Sequence, residues 1–529
     1  MSGAALRKVA SLPLFDRALK GGASLIAKRL SARDPFSAQR AIFADLLKHG
    51  AATRFGKDHG LAAIASLPFE AAYQRYRRQV PVRSYADFWK EYFSQGWQQD
   101  AMGKRLLCQD LTWPGRIPFF CETSGTTAPS KFIPFSSEMF AANRQAAVDL
   151  VACYLAERPD SRLFQGRLLY MAGNTELTDL GHGVLSGDMS AITLRYRPGY
   201  LKPFIAPDDA TAALPWEDKL EALAGLLLNG GGIRGISGVP PWILLLLKRC
   251  RELGGKPLAE LLPELELIIH GGASLKPYAG EFAALFPDAA PQFVELLPSS
   301  EAFMGFQIAG EKWMRLTPYY GVFFEFLPVE DLDERGGAPA DAVCVPLEEV
   351  EIGRRYAVIL TTCAGLWRYH IGDTIRFVSK EPLFIEFTGR DKFLDRFEEK
   401  VTQGEVEEAV ARANRIAGVE IGEFMVGPEI GARRHLWVLA LRNGGGADAG
   451  LLASLLDGSL REMNADYATF REQQRIAPPC VVPVGEETIY HWSKAVRGKL
   501  GGQSKIPHID PTLEGELVRS LAAYAGAAH

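Results

Sequence analysis

Four runs between residues 321 and 390, "GVFFEFLPV", "RYAVILTTCAG", "LWRYHIGDTIRFV" and "LFIEFTGR", are dense in β-branched and aromatic residues. A strand has no hydrogen bonds of its own, so such a series is satisfied only by pairing into a sheet. Upstream the pattern differs. Strand-like "GRLLYMAG" precedes "LEALAGLLLN", a helix closed by Gly230–Gly232, and "ISGVPPWILLLLKRCREL", a helix opened by Pro240–Pro241. "LELIIHGGASL" and "QFVELLPSSEAFMGF" read as strands running into turns. The predicted fold is α/β, with α/β units and a β-barrel-like part sharing a large N-terminal domain. A chain of 529 residues exceeds what one hydrophobic core supports. After Arg390 the texture becomes charged and helical, so residues 1–390 read as the large domain and 391–529 as a small α/β domain. In the latter, "HLWVLAL" and "CVVPVGEETIYHW" read as strands and "GLLASLLDGSLREMN" as a helix.

Residues 35–110 read as helical, and "SSEMFAANRQAAVDLVACYLAERP" as a long helix capped by Ser136 or Ser137, with Pro159 beyond its end. The N-terminus, "MSGAALRKVASLPLFDRALKGGASLIAKRL", lacks a continuous apolar signal segment. It reads as an amphipathic helix packed on the body, with a membrane-surface role as the alternative. No run approaches the ~20 apolar residues of a membrane span. A formal charge of −4 and a pI of about 6.2 argue against nucleic acid as a main partner but leave room for a nucleotide. Seven dispersed cysteines without a CxxC read as reduced thiols. Nine histidines without HxH or HExxH give no protein-built metal site. The expectation is a cytoplasmic monomer without membrane partners.

Five stretches carry candidate chemistry. In "TSGTTAPSK" (123–131), Thr123, Ser124, Gly125, Thr126 and Thr127 offer N–H groups and hydroxyls, and Lys131 a cation. Such a loop can cradle polyphosphate, although it is not a Walker loop and an ordinary turn has the same composition. "PSSEAFMG" (298–305) sets Ser299, Ser300 and Glu301 at a strand's carboxyl end, where α/β folds bind ligands. Glu301 can hold Mg²⁺ or stand as a solvated loop glutamate. "WRYHIGDTIRF" (367–377) places Asp373 after Gly372, suited to ribose hydroxyls or to a turn. In "TGRDKF" (388–393), Arg390 can reach ribose or phosphate and Asp391, Lys392 and Phe393 can form a hinge, or the stretch is a charged linker. "GGQSKIPH" (501–508) can swing Lys505 elsewhere, as Lys499 can be swung, or is a basic tail.

In that order the five stretches resemble the adenylate-forming superfamily of acyl-CoA ligases, luciferases and peptide adenylation domains. More closely they resemble the Gretchen Hagen (auxin-responsive) family of acyl acid–amido synthetases. Thr123–Lys131, continuing as "IPFS", is similar to its hydroxyl-rich loop. Ser299-Ser300-Glu301, followed by an aromatic and Gly305, is similar to its Ser-Ser-Glu motif, and Tyr369, Gly372 and Asp373 to its Tyr-x-x-Gly-Asp motif. "FFEFLP", "TTCAGLWR" and "QSKIP" are also family-like, and the resemblance spans about residues 110–510.

The resemblance implies an adenylate-forming large domain and a mobile C-terminal domain. The activity implied uses ATP and Mg²⁺ to convert a carboxylic acid to an acyl-adenylate, then transfers the acyl group to an amine, usually an amino acid. It also implies roles: Ser124, Gly125, Thr126, Thr127 and Lys131 on phosphates, Glu301 on Mg²⁺, and Asp373 on ribose with Arg390 assisting. Thr123, Ser299, Ser300 and Tyr369 join the nucleotide site, and Lys505 bridges the carboxylate and the α-phosphate. The chain departs from the pattern at Ala128-Pro129-Ser130, where glycine is usual, at Leu297, where an aromatic is usual, and at His508, where plant members carry arginine. The stretch 170–188, expected to line the acyl pocket, is unlike plant members. A thiol-accepting acyl-CoA ligase and a non-catalytic nucleotide- or acid-binding protein remain the competing readings.

Overall fold

The computed structural model describes residues 12–100, 103–106, 109–123, 131–173, 175–287, 290–333, 336–390, 393–394, 396–397, 399, 401–442, 448–497, 506–512 and 514–527. Among the described residues helix α1 (Pro13–Ser31) comes first, with Lys28 and Arg29 in its last turn, where the helix dipole favours cations. Strands β1 (Phe119–Thr123) and β2 (Lys131–Phe135) pair antiparallel and lead into α2 (Ser137–Glu157). The cap of α2 is Ser136, whose hydroxyl accepts from the Met139 N–H and donates to the Cys363 carbonyl at 2.6 Å. One side chain thus ends a strand, starts a helix and ties both to the β-rich part.

Next come β3 (Arg167–Tyr170), β4 (Thr178–Gly181), β5 (Val184–Gly187), α3 (Met189–Arg195), β6 (Ile205–Ala206), α4 (Trp216–Leu228), β7 (Ile233–Gly238), α5 (Pro240–Gly254), β8 (Leu267–Gly271), α6 (Ala279–Leu285) and β9 (Gln292–Pro298). The antiparallel part is β10 (Phe303–Gln307), β11 (Met314–Leu316), β12 (Val322–Pro328), β13 (Val345–Pro346), β14 (Arg355–Thr362), β15 (Tyr369–Lys380) and β16 (Leu383–Arg390). All but β1, β2, β4 and β5 form one 12-stranded sheet, ordered β13-β12-β14-β15-β16-β11-β10-β9-β8-β7-β3-β6. The pairs from β6 to β9 are parallel, and β9 to β13 pair antiparallel.

Both faces of the parallel half are covered, as parallel sheets require. In β8, Ile268 packs with Ile243 and Leu247 of α5, whereas Leu267 and Ile269 pack with Leu150 and Leu155 of α2 and Ala23 of α1. The alternation of one strand therefore fixes a three-layer stack. Every residue of β12 is buried, so its run of large apolar side chains fills two faces at once.

The C-terminal part has its own sheet and cores. Helix α7 (Gln403–Ala417), β17 (Ile421–Glu429), β18 (Arg434–Leu441), α8 (Ala449–Met463), β19 (Cys480–Gly485), α9 (Thr488–Arg497) and α10 (Glu516–Ala527) surround a three-stranded sheet, β17-β18-β19. One core lies under α7 and α8 and another under α9 and α10. The predicted strand "CVVPVGEETIYHW" is half strand and half helix: β19 ends at Gly485, and Ile489 and Trp492 bury at helical spacing. Helix α5 opens at Pro240–Pro241 as its sequence implies, and Ile236–Gly238 ahead of it belong to β7. No helix among the described residues is long and apolar enough to cross a membrane.

Candidate active site

The carboxyl ends of β7, β8 and β9 open into a cavity of about 1930 Å³. Thr123 and Lys131 lie on its wall, directly opposite each other as the last and first residues of β1 and β2. The Lys131 ammonium stands 5.7 Å from the centre of the Tyr85 ring, and the Tyr85 hydroxyl accepts from the Phe132 N–H at 2.7 Å. The ring quadrupole attracts the ammonium and orders its stem.

Ser299, Ser300 and Glu301 follow β9 and line the same cavity. The Ser299 hydroxyl donates to the Ala302 carbonyl and accepts from the Ala302 N–H, each at 3.0 Å. This closed turn presents Ser300 and Glu301. Glu301 is buried, and its Oε1 accepts from the Tyr369 hydroxyl at 3.3 Å. Tyr369 opens β15, fully buried against Phe88. Three residues on, Gly372 takes a φ of 87°, a left-handed conformation suited to glycine, and brings buried Asp373 to the cavity. Asp373 sits in register with Arg390 on β16.

Ser124, Gly125, Thr126, Thr127, the Ala128-Pro129-Ser130 run, Asp391, Lys392, Lys499 and Lys505 lie outside the described residues, as do the side chains of Arg390 and Phe393. Leu297 lines the cavity and belongs to the large core, an apolar surface where an aromatic was expected.

Several lining residues escaped the sequence reading. His270 is the penultimate residue of β8, and burial pushes its imidazole down to about 4, so it is neutral near pH 7. After it, Gly271 is packed so closely that a Cβ there would stand 2.8 Å from the Leu296 carbonyl oxygen. His370 is likewise held near 4 by burial, against the pull of Asp373. Burial raises the Glu295 carboxyl, with Lys276 opposing. From the C-terminal part come Gln403, Gly404 and Glu407, beside His508, which the sequence already sets apart. The glycine pair of "IIHGGAS" directly after a strand was the available signal; nothing local marked Glu295 or Glu407.

This donor set fits a magnesium nucleotide as substrate. It has two buried carboxylates, Glu301 and Asp373, a cation over an aromatic ring, and glycine backbone that would let a ligand come close. Among the described residues no three His, Cys, Asp or Glu side chains cluster to hold a metal. An ion at Glu301 would therefore take most ligands from phosphate and water, as Mg²⁺ commonly does.

Comparison with known proteins agrees with this geometry. Residues 29–227 match the GH3 family N-terminal domain, 316–390 the GH3 family central domain and 404–512 the GH3 family C-terminal domain. Indole-3-acetic acid-amido synthetase GH3.8 of Oryza sativa subsp. indica is 29% identical over 235 residues, 42% of this chain and 38% of that protein. The match to that relative thus spans well under half its length. The fold is that of the GH3.15 acyl acid amido synthetase, with TM-score 0.74 at 17% identity over 95% of this chain and 96% of the other. A 2-hydroxyisobutyryl-CoA ligase in complex with 2-HIB-AMP superposes with TM-score 0.54 at 12% identity, over 93% and 92%. With three family domains matched in order and that architecture reproduced, the chain belongs to the GH3 family.

Proposed function

We propose that this protein is an ATP-dependent, AMP-forming ligase that activates a carboxylic acid as its adenylate and transfers the acyl group to an amine, the acceptor being an amino acid. The observation that carries this reading is the bond between Tyr369 and Glu301, which draws two distant motifs, with Asp373, Thr123 and Lys131, around one cavity. The amido synthetases among the relatives favour the amine as acceptor.

In this reading the acid's carboxylate oxygen attacks the α-phosphorus and pyrophosphate leaves; the amine nitrogen then attacks the acyl carbon, loses a proton and expels AMP. Catalysis is positioning and charge neutralisation at phosphate. Lys131 and the Thr123–Thr127 loop grip the phosphates, and Asp373 accepts from the ribose hydroxyls with Arg390 beside it. Ser299 shapes the turn carrying Ser300 and Glu301, and Tyr369 orients the Glu301 carboxylate. Bound at Glu301, Mg²⁺ would supply charge neutralisation to the departing pyrophosphate. Lys505 meets the carboxylate and α-phosphate, and rotation of residues 391–529 about Asp391–Phe393 withdraws it between the two steps.

The test is to incubate the protein with MgATP, a panel of acids and either mixed amino acids or coenzyme A, and to weigh the products. An acyl-amino acid with stoichiometric AMP is expected. A thioester instead would move the assignment to acyl-CoA ligase, and no AMP with any acid would overturn enzymatic activity.

A further inference from the structure

The cavity is larger than its nucleotide end requires. Its volume of about 1930 Å³ exceeds the roughly 300–1,000 Å³ of ordinary small-molecule pockets. Its carboxylates, Glu295, Glu301, Asp373, Glu386 and Glu407, lie on or next to β9, β15, β16 and α7, and none lies on α1 or α2. The rest is an arm along α2. Phe140, Arg144, Ala147, Val151 and Leu155 line it at helical spacing, one stripe extending about 22 Å at 1.5 Å per residue.

Beyond Arg144 the stripe is apolar. At its far end Ala23 and Ile26 of α1 pack with Leu155, Leu163 and Phe164. Leu201 and Phe204 line the same arm. Arg197, also on its wall, is ion-paired with Asp209 at 2.9 Å and is thereby neutralised. Most of α1 lies ahead of residue 29, where the family match begins, so the far end is closed by a segment outside that match.

We infer that this arm holds the tail of the acid substrate, and that the acid carries a long unbranched apolar chain. The inference rests on the ligase reading for its chemistry and on the arm for its substrate class. A chain lying along the stripe exchanges water contact for Val151, Leu155, Ile26 and Phe204, and each methylene so buried strengthens binding roughly three- to fourfold. The carboxyl group is then left at the nucleotide end, beside Lys131 and Glu301.

The experiment measures acid-dependent ATP–pyrophosphate exchange across straight-chain saturated acids from butyrate to hexadecanoate. Half-saturation concentrations should fall steeply with chain length until the arm is full. Gly22 is exposed and lines the cavity, and a Cβ built on it meets nothing within 4 Å, so Gly22→Phe adds a ring at the cavity wall without a clash at Cβ and with better helix propensity. That variant should raise the ratio of hexadecanoate to butyrate half-saturation at least tenfold. Gly21→Leu, equally unobstructed but outside the cavity lining, should leave the ratio at the wild-type value. A flat dependence on chain length, or a ratio unmoved by Gly22→Phe, would overturn the inference while leaving the ligase reading intact. If no acid supports exchange, the ligase reading fails, and calorimetric titration with dodecanoate decides the arm separately. Binding weakened at least tenfold by Gly22→Phe upholds it, whereas no binding to the wild type, or equal binding to both, overturns it.

Discussion

Two buried charge clusters flank the cavity, and they are built on different terms. Behind the site, fully buried Arg368 directly precedes Tyr369. Its Nε donates to Glu325 Oε2 at 3.1 Å, and its Nη1 donates to the carbonyls of Arg77 at 3.0 Å and Val80 at 2.8 Å. Tyr73 adds a bond to Glu325 at 3.0 Å. Every partner comes from the large domain, so the cluster closes on itself and fixes where β15 begins. At the seam with the small domain, His508 Nδ1 meets Glu407 Oε1 at 2.9 Å, and its Nε2 lies 3.9 Å from Glu423 Oε2. Glu423 accepts from Tyr278 of the large domain at 2.7 Å and from Tyr490 at 3.4 Å. Here one imidazole serves two carboxylates, and a bond crosses between domains. The first cluster holds the site's shape whatever the small domain does; the second changes with any displacement between domains.

The largest break in this comparison is Arg368→Met. It strands the Glu325 carboxylate in the core and should cost roughly 3–5 kcal/mol, read as a lowered denaturation midpoint of the large domain. A loss below about 1 kcal/mol would mean that Tyr73 and nearby groups suffice for Glu325.

His508→Gln should cost less, about 1–3 kcal/mol, and should show first as faster amide hydrogen exchange in β17 and in the loop before α6. Exchange accelerated only inside the small domain would contradict a role at the seam. The pair also predicts a pH window. Burial alone would lower His508, but the bond and charge of Glu407 prevail and hold it raised. Its stabilisation is complete below the ordinary imidazole range and fades as pH rises through the raised value. Burial opposes Glu407, yet the His508 bond leaves it lowered, so its contribution is present above the ordinary carboxylate range and fades in acid. Stability at the seam should therefore peak between those limits, and in His508→Gln the alkaline fall should flatten.

Smallest is Ser136→Ala, which removes the α2 cap and its tie to Cys363. It should cost about 1 kcal/mol, seen by thermal melting. Unchanged melting would place the tie between layers elsewhere.

Much of this was legible in the sequence because it is local. Ser136 before an apolar-periodic run, Pro240–Pro241 opening α5 and the aromatic run of β12 each announce their element within a few residues. What the sequence missed is non-local or ambiguous in period. Ile489 and Trp492 reveal a helix only once one core is known to hold them both. Glu301 and Tyr369 stand far apart in the chain, and only the pairing of β9 through β16 brings them within 3.3 Å. His270 looked like one more residue of a buried strand until the cavity gave it a face.

The most direct test of the central claim is ATP–pyrophosphate exchange by the wild-type protein and by Asp373→Ala, with and without added carboxylic acids. Exchange should require an acid and fall at least a hundredfold in the variant, as removal of a positioned polar contact commonly produces. Exchange without any acid, or exchange undiminished in Asp373→Ala, would contradict that claim.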